Sequence, residues 1–142
     1  MNTLRVELEN VAARQLIRGG IVFEDSAIVR VFVDEEDLLE SVDFDGALVC
    51  FDELMHSMSG SGNYLIFTCA CGIAEDGGWE GVAVEMTETT VSWHLEAGTR
   101  ALDYCFDRAG YAFAIDTLVT RIETGALPLA PRWVVFPDGF QR

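Results

Sequence analysis

The chain has 142 residues, half of them apolar, with 24 acidic side chains against nine arginines, no lysine and a net charge of −15. That size suits one domain with a real core, and the apolar content argues against a disordered chain despite the charge. Lacking lysine, it has no Schiff-base or phosphate-loop chemistry, and a pI of about 4.2 argues against direct nucleic-acid binding, which needs clustered positive charge.

Near the start, Leu4, Val6 and Leu8 alternate with charged residues as in a strand. Leu4, Leu8, Val11 and Gln15 also share a helical face that Gly19 and Gly20 would end, and the helix is the preferred reading. Residues 27–33 form a dense β-branched strand. Asp34, Glu35, Glu36 and Asp37 follow, acids that favour the first turn of a short helix through Leu38 and Leu39. A helix is expected over 48–58, stopped by the Ser-Gly-Ser-Gly run at 59–62. Residues 64–69 read as a central strand, 82–86 and 91–95 as a hairpin, and 102–106 as the third strand of the same meander.

Asp107 is placed to cap a helix whose face carries Tyr111, Ile115, Leu118, Val119 and Ile122, with Gly125 closing it. Residues 126–142 hold all three prolines and an apolar patch at 133–136, a tail expected to dock on the body. The expected fold is a single α+β domain over 1–142, with an antiparallel meander over 64–106 and helices on one face. No run reaches the length of a membrane span and the first residues lack a signal-like apolar core, so the expected setting is cytoplasmic.

The most distinctive string runs from Thr68 to Val82 and contains Cys69-Ala70-Cys71-Gly72. Structural zinc wants four ligands, usually as two close pairs. Of the remaining candidates, Cys50, Cys105, His56 and His94, none forms a second close pair, so reduced structural thiols are expected, with no metal and no cofactor. With Val91-Ser92-Trp93-His94 and the Phe106-Asp107-Arg108 helix start, this string resembles a family of small uncharacterised bacterial proteins. The resemblance covers about residues 64–122. It implies a fold and a bacterial origin, with no activity to carry over. The family pattern has a further cysteine in the loop where this chain has Glu75 or Asp76.

Between Val31 and Thr99 there are fifteen carboxylates and no arginine, so the whole net charge lies in one block. Ordinary surfaces mix signs; sustained charge of one sign repels itself and attracts cationic partners. Within the block, Asp34, Glu35, Glu36, Asp37, Glu40, Asp43, Asp45, Asp52 and Glu53 are interleaved with apolar anchors such as Leu38, Leu39 and Phe44. These nine acids are the expected partner-binding surface, set against the plainer reading of a solvated face. The expected partner is a basic protein, bound as an immunity protein or antitoxin binds a cationic toxin such as a nuclease. A nucleic-acid mimic from a phage or mobile element, its carboxylates standing in for phosphates, is the alternative. A small enzyme is the third reading, with Cys69 or Cys71 as nucleophile, His94 as base, and Asp103 or Glu96 orienting the imidazole. The expectation is a binding protein without catalytic residues and without a membrane partner.

Overall fold

A computed structural model describes residues 1–11, 16–131 and 133–142. The chain opens with a strand, β1 (Leu4–Asn10), which overturns the helical reading. Alternation wins because it buries Leu4 and Val6 while the backbone gains a partner strand. Gln15, the last member of the expected helical face, lies outside the described residues. Gly19 and Gly20 stop no helix. They form the turn between β2 (Leu16–Arg18) and β3 (Ile21–Phe23). Their φ values of +55° and +76° are those a type I′ hairpin turn requires.

β4 (Ala27–Val33) is the expected β-branched strand and pairs antiparallel along the whole of β1. The chain then reverses through Asp34 and Glu35 into β5 (Glu36–Asp37). The acidic quartet therefore begins a hairpin and not a helix. Asp34 and Glu35 hold left-handed φ values of +52° and +67°, which cost a non-glycine residue on the order of 1–2 kcal/mol each. Local bonds offset that strain. Thr3 N–H and the Asn2 amide donate to the Asp34 carboxylate at 2.8 and 2.6 Å, and Arg5 reaches Glu35 at 2.9 Å. Asp37 does cap a short 3-10 helix, Leu38–Glu40, by accepting from Leu39 N–H, and a second 3-10 turn, Val42–Phe44, follows.

The expected 48–58 helix is shorter, because its first residues are taken by β6 (Ala47–Val49) and only Phe51–His56 forms α1. The expected 64–69 strand divides into β7 (Gly62–Tyr64) and β8 (Phe67–Cys69). β8 pairs with β6, whereas β7 belongs to the main sheet. At the corner, Ile66 N–H donates to Tyr64 O at 2.9 Å in a γ-turn-like contact. Leu65 N–H, left without a ladder partner, donates to the buried Glu53 carboxylate at 3.1 Å. A buried acid thus decides where the chain changes sheet.

After α2 (Ala74–Gly77) come β9 (Val82–Met86), β10 (Thr90–Ala97), β11 (Arg100–Asp107) and α3 (Arg108–Thr124). The expected meander is present, and the sheet order is β11-β10-β9-β7, every pair antiparallel. Along β10, Val91, Trp93, Leu95 and Ala97 are buried and the residues between them face outward. Asp107 caps α3 by accepting from Gly110 N–H at 2.9 Å, and the helix buries Tyr111, Ile115 and Leu118.

The fold is mixed α+β, with its strands distributed over four small antiparallel sheets among the described residues. One meander sheet does not hold every expected strand, since β8 lies in another. α3 lies along β1 and touches β10 and β11, while α1 contacts β7 and α2 contacts β8. One core joins these parts. Trp93 is 1% exposed and packs edge-on against Phe106 and Tyr111, with centroids 5.2 and 6.1 Å away. Its indole N–H donates to the Tyr111 hydroxyl at 3.1 Å, and that hydroxyl meets Ser57 Oγ at 2.5 Å. Burial pushes the Tyr111 hydroxyl up to about 12.

The tail is fastened at several points. Leu129 bridges to Ala27, Val135 bridges to Ile73, and Arg142 pairs with Glu53 at 2.6 Å. No helix among the described residues is long and apolar enough to cross a membrane.

Candidate cation-binding groove

Of the nine acids expected to form one binding surface, some line different hollows of the fold, and several are paired within the chain. Arginines from outside the acidic block fold onto them. Arg5 pairs with Glu35, Arg30 with Asp37 and Glu40, Arg100 with Asp43, and Arg142 with Glu53, at 2.6–3.1 Å. Asp34 is occupied by Asn2 and Thr3, whose N–H groups hold its carboxyl below the ordinary 3.8. Glu53 is fully buried and leaves the exposed acidic surface altogether. Of the nine, Glu36, Asp45 and Asp52 remain exposed with neither an arginine partner nor hydrogen bonds like those that occupy Asp34, among the described residues.

The block is also divided in space. Glu35 lines a cleft between β1 and α3, Asp52 and Glu53 line a cavity beneath the tail, and Asp43 and Asp45 line a third hollow. This last is a groove of about 780 Å³, and it gathers acids from three separate stretches: Asp43 and Asp45, then Glu80, then Glu96. Val42 stands beside it at 85% exposure.

Each wall has a local cause. Asp43 follows Ser41, whose hydroxyl accepts from Asp43 N–H at 3.3 Å and so fixes the 3-10 turn. Glu96 is an outward residue of β10, opposite its buried neighbours Leu95 and Ala97. The loop 77–81 is pinned from both sides. Trp79 stacks on Phe44 with centroids 5.5 Å apart and planes at 20°, and the Asn63 amide donates to Glu80 O at 3.1 Å. Gly81, at φ +119°, comes so close to Asn63 that a Cβ would lie 2.5 Å from its Oδ1, so a side chain there would displace the Asn63 amide and strain the backbone. Glu80 is therefore held at the groove by packing and not by an opposing charge.

In chemical terms the groove offers more carboxylates than arginines among the described residues. Asp43 is neutralised by Arg100, while Asp45, Glu80 and Glu96 lack an arginine partner among the described residues. An arginine or lysine from elsewhere would find charge-assisted hydrogen bonds there. The sequence placed Glu80 and Glu96 in the acidic block but outside the expected binding surface, with Glu96 only a candidate orienting acid for His94, since only the folded hairpin and loop bring them to Asp45. The outward position of Glu96 in an alternating strand was the available signal.

His94 also lines the groove, and its Nδ1 lies 2.7 Å from Asp103 Oδ1 across the β10–β11 pair. The expected orienting acid is therefore in place. The nucleophile is not. Among the described residues Cys71 meets Cys69, Ile73 and Asp76, and no contact joins either thiol to His94. No three or more His, Cys, Asp or Glu side chains among the described residues are arranged to hold a metal ion.

Comparison with family models, with curated proteins and with solved structures gives no match.

Proposed function

We propose that this chain is an acidic binding module that captures a basic protein, as an immunity protein or antitoxin does when it covers the cleft of a cationic toxin. The observation that supports this reading is the groove lined by Asp45, Glu80 and Glu96, without arginine partners among the described residues, next to the exposed Val42. Carboxylates so placed steer a cationic partner and raise its on-rate, and an apolar residue at the centre of a charged contact supplies the dry anchor. Glu36 and Asp52 widen the negative field without lining the groove. A cytoplasmic bacterial setting goes with this reading.

The test is co-purification from the chain's own host, comparing wild type with the triple variant Asp45→Asn, Glu80→Gln and Glu96→Gln. A partner of pI above about 9 should be retained by wild type and lost with the variant. Its association rate should fall as salt rises, because exposed charges are screened over roughly 8 Å at physiological ionic strength. An acidic partner, or a basic one held equally by both proteins, overturns the assignment.

A further inference from the structure

Two thiols at the end of β8 are used neither by the core nor by the groove. Gly72 N–H donates to Cys69 O at 2.8 Å and closes a tight turn, with Gly72 at φ +89°. Trp133 packs so closely over Gly72 that a Cβ there would lie 2.6 Å from Trp133 O. Between the cysteines, Ala70 is buried and its N–H donates to Gly46 O at 2.8 Å. The turn is thus anchored on both sides, and it brings Cys71 Sγ to 3.1 Å from Cys69 Sγ. A covalent S–S bond is about 2.0 Å long, so roughly 1 Å of side-chain motion separates this contact from a disulfide. Ile73 N–H also points at Cys71 Sγ, at 3.4 Å. Cys50 is buried and Cys105 sits on β11, and neither sulfur has a thiol neighbour among the described residues. Cys71 is half-buried, and it borders a separate, mainly apolar hollow of about 290 Å³ with Phe23, Pro131 and Trp133. A partly exposed sulfur, a second sulfur in reach and room for an incoming group occur together only here among the described residues.

We propose that Cys69 and Cys71 form a dithiol site that exchanges with disulfides of small thiols. Cys71 loses its proton to solvent and attacks one sulfur of a small disulfide, RS–SR, giving a Cys71–S–SR mixed disulfide and releasing RS⁻, which takes up a proton as RSH. Cys69 then loses its proton and attacks the Cys71 sulfur, closing the Cys69–Cys71 bond and expelling the second RSH. The two protein thiols are oxidised, the small disulfide is reduced to two thiols, and no other reactant takes part. The hollow beside Cys71 accommodates the R group of the mixed disulfide. Excess RSH runs both steps backwards. Thiolates, not thiols, carry the exchange. The neighbouring Cys69 thiol and Asp76 hold the Cys71 thiol above its ordinary value, so the first step quickens in mildly alkaline solution.

The test uses the whole reduced protein, equilibrated with glutathione buffers of increasing oxidised fraction, quenched with a maleimide and read by intact mass and peptide mapping. Two of the four thiols should become protected together, with Cys69 linked to Cys71, and reduced glutathione should return all four. Cys69→Ser should halt at the first step, leaving a glutathione adduct on Cys71, while a Cys50→Ser, Cys105→Ser variant should behave as wild type. Full labelling of all four thiols across the series, a bond between other cysteines or between two chains, or no adduct in a folded Cys69→Ser variant overturns the proposal.

Discussion

Removing Arg142 isolates the energetic role of the tail. Its guanidinium places Nε and Nη2 at 2.8 and 2.6 Å from Glu53 Oε2, while the other carboxylate oxygen accepts from Leu65 N–H. The pair is asymmetric, because the Glu53 side chain is 0% exposed and that of Arg142 46%. Cutting a fully buried ion pair costs about 3–5 kcal/mol, whereas a fully exposed pair contributes about 0–1. The exposed partner puts this case between those limits. Arg142→Ala should therefore lower stability by about 1.5–3 kcal/mol, the range for hydrogen bonds to charged groups. Glu53→Ala should cost more, because it also strips the acceptor from Leu65 N–H at the corner between β7 and β8. Glu53→Gln retains that acceptor and should fall between. Urea denaturation with constant m-values measures all three, and a double-mutant cycle of Glu53→Gln with Arg142→Ala should give a coupling of at least about 0.5 kcal/mol. An Arg142→Ala protein within about 0.5 kcal/mol of wild type, or a strictly additive cycle, would refute the idea that the tail is latched through this pair.

Two further outcomes are expected. Tyr111→Phe removes the buried acceptor of the Trp93 indole N–H and the partner of Ser57 Oγ, so it should cost about 1–3 kcal/mol in urea; unchanged stability would show that the hydroxyl is not the acceptor. Asp34 has its carboxyl held below 3.8 by Asn2 and Thr3, so its contribution to stability is complete above that value and is lost as pH falls through the lower native one. The stability difference between wild type and Asp34→Ala should shrink between pH 5 and acid unfolding, and a pH-independent difference counts against the turn lock.

Where a segment's own pattern was sufficient, the sequence was readable. The alternation in 82–106 placed the meander, and the Asp107 cap with Tyr111, Ile115 and Leu118 placed α3, because both signals are local. The failures share a physical cause: a long-range partner decided the outcome. Residues 4–10 satisfy a helical period and a strand period alike, and the ladder offered by β4 selects the strand. Gly19 and Gly20 are as suitable for a type I′ turn as for a helix end, and only the pairing of β2 with β3 distinguishes them. The run 64–69 carries no mark of its corner, since the group that holds it is Glu53, more than ten residues earlier. The groove was legible only in part for the same reason: Asp45 was named, but Glu80 and Glu96 join it through tertiary packing.

Charge order along the chain and charge order in space are different quantities. A block of fifteen acids without a cation reads as one negative face, yet Arg5, Arg30, Arg100 and Arg142 all enter it from outside. Such pairing leaves the net charge at −15 but decides which carboxylates still need a counter-charge. The paired acids have structural work: Glu35 sits in a strained hairpin turn, Asp37 caps a 3-10 helix, and Glu53 holds a sheet-to-sheet corner. Neutralising them would damage the scaffold and confound any binding assay. Asp45, Glu80 and Glu96 have no such duty among the described residues. On the proposed reading an incoming cation would meet these three acids, and so the binding test belongs on them and not on the acidic quartet at 34–37.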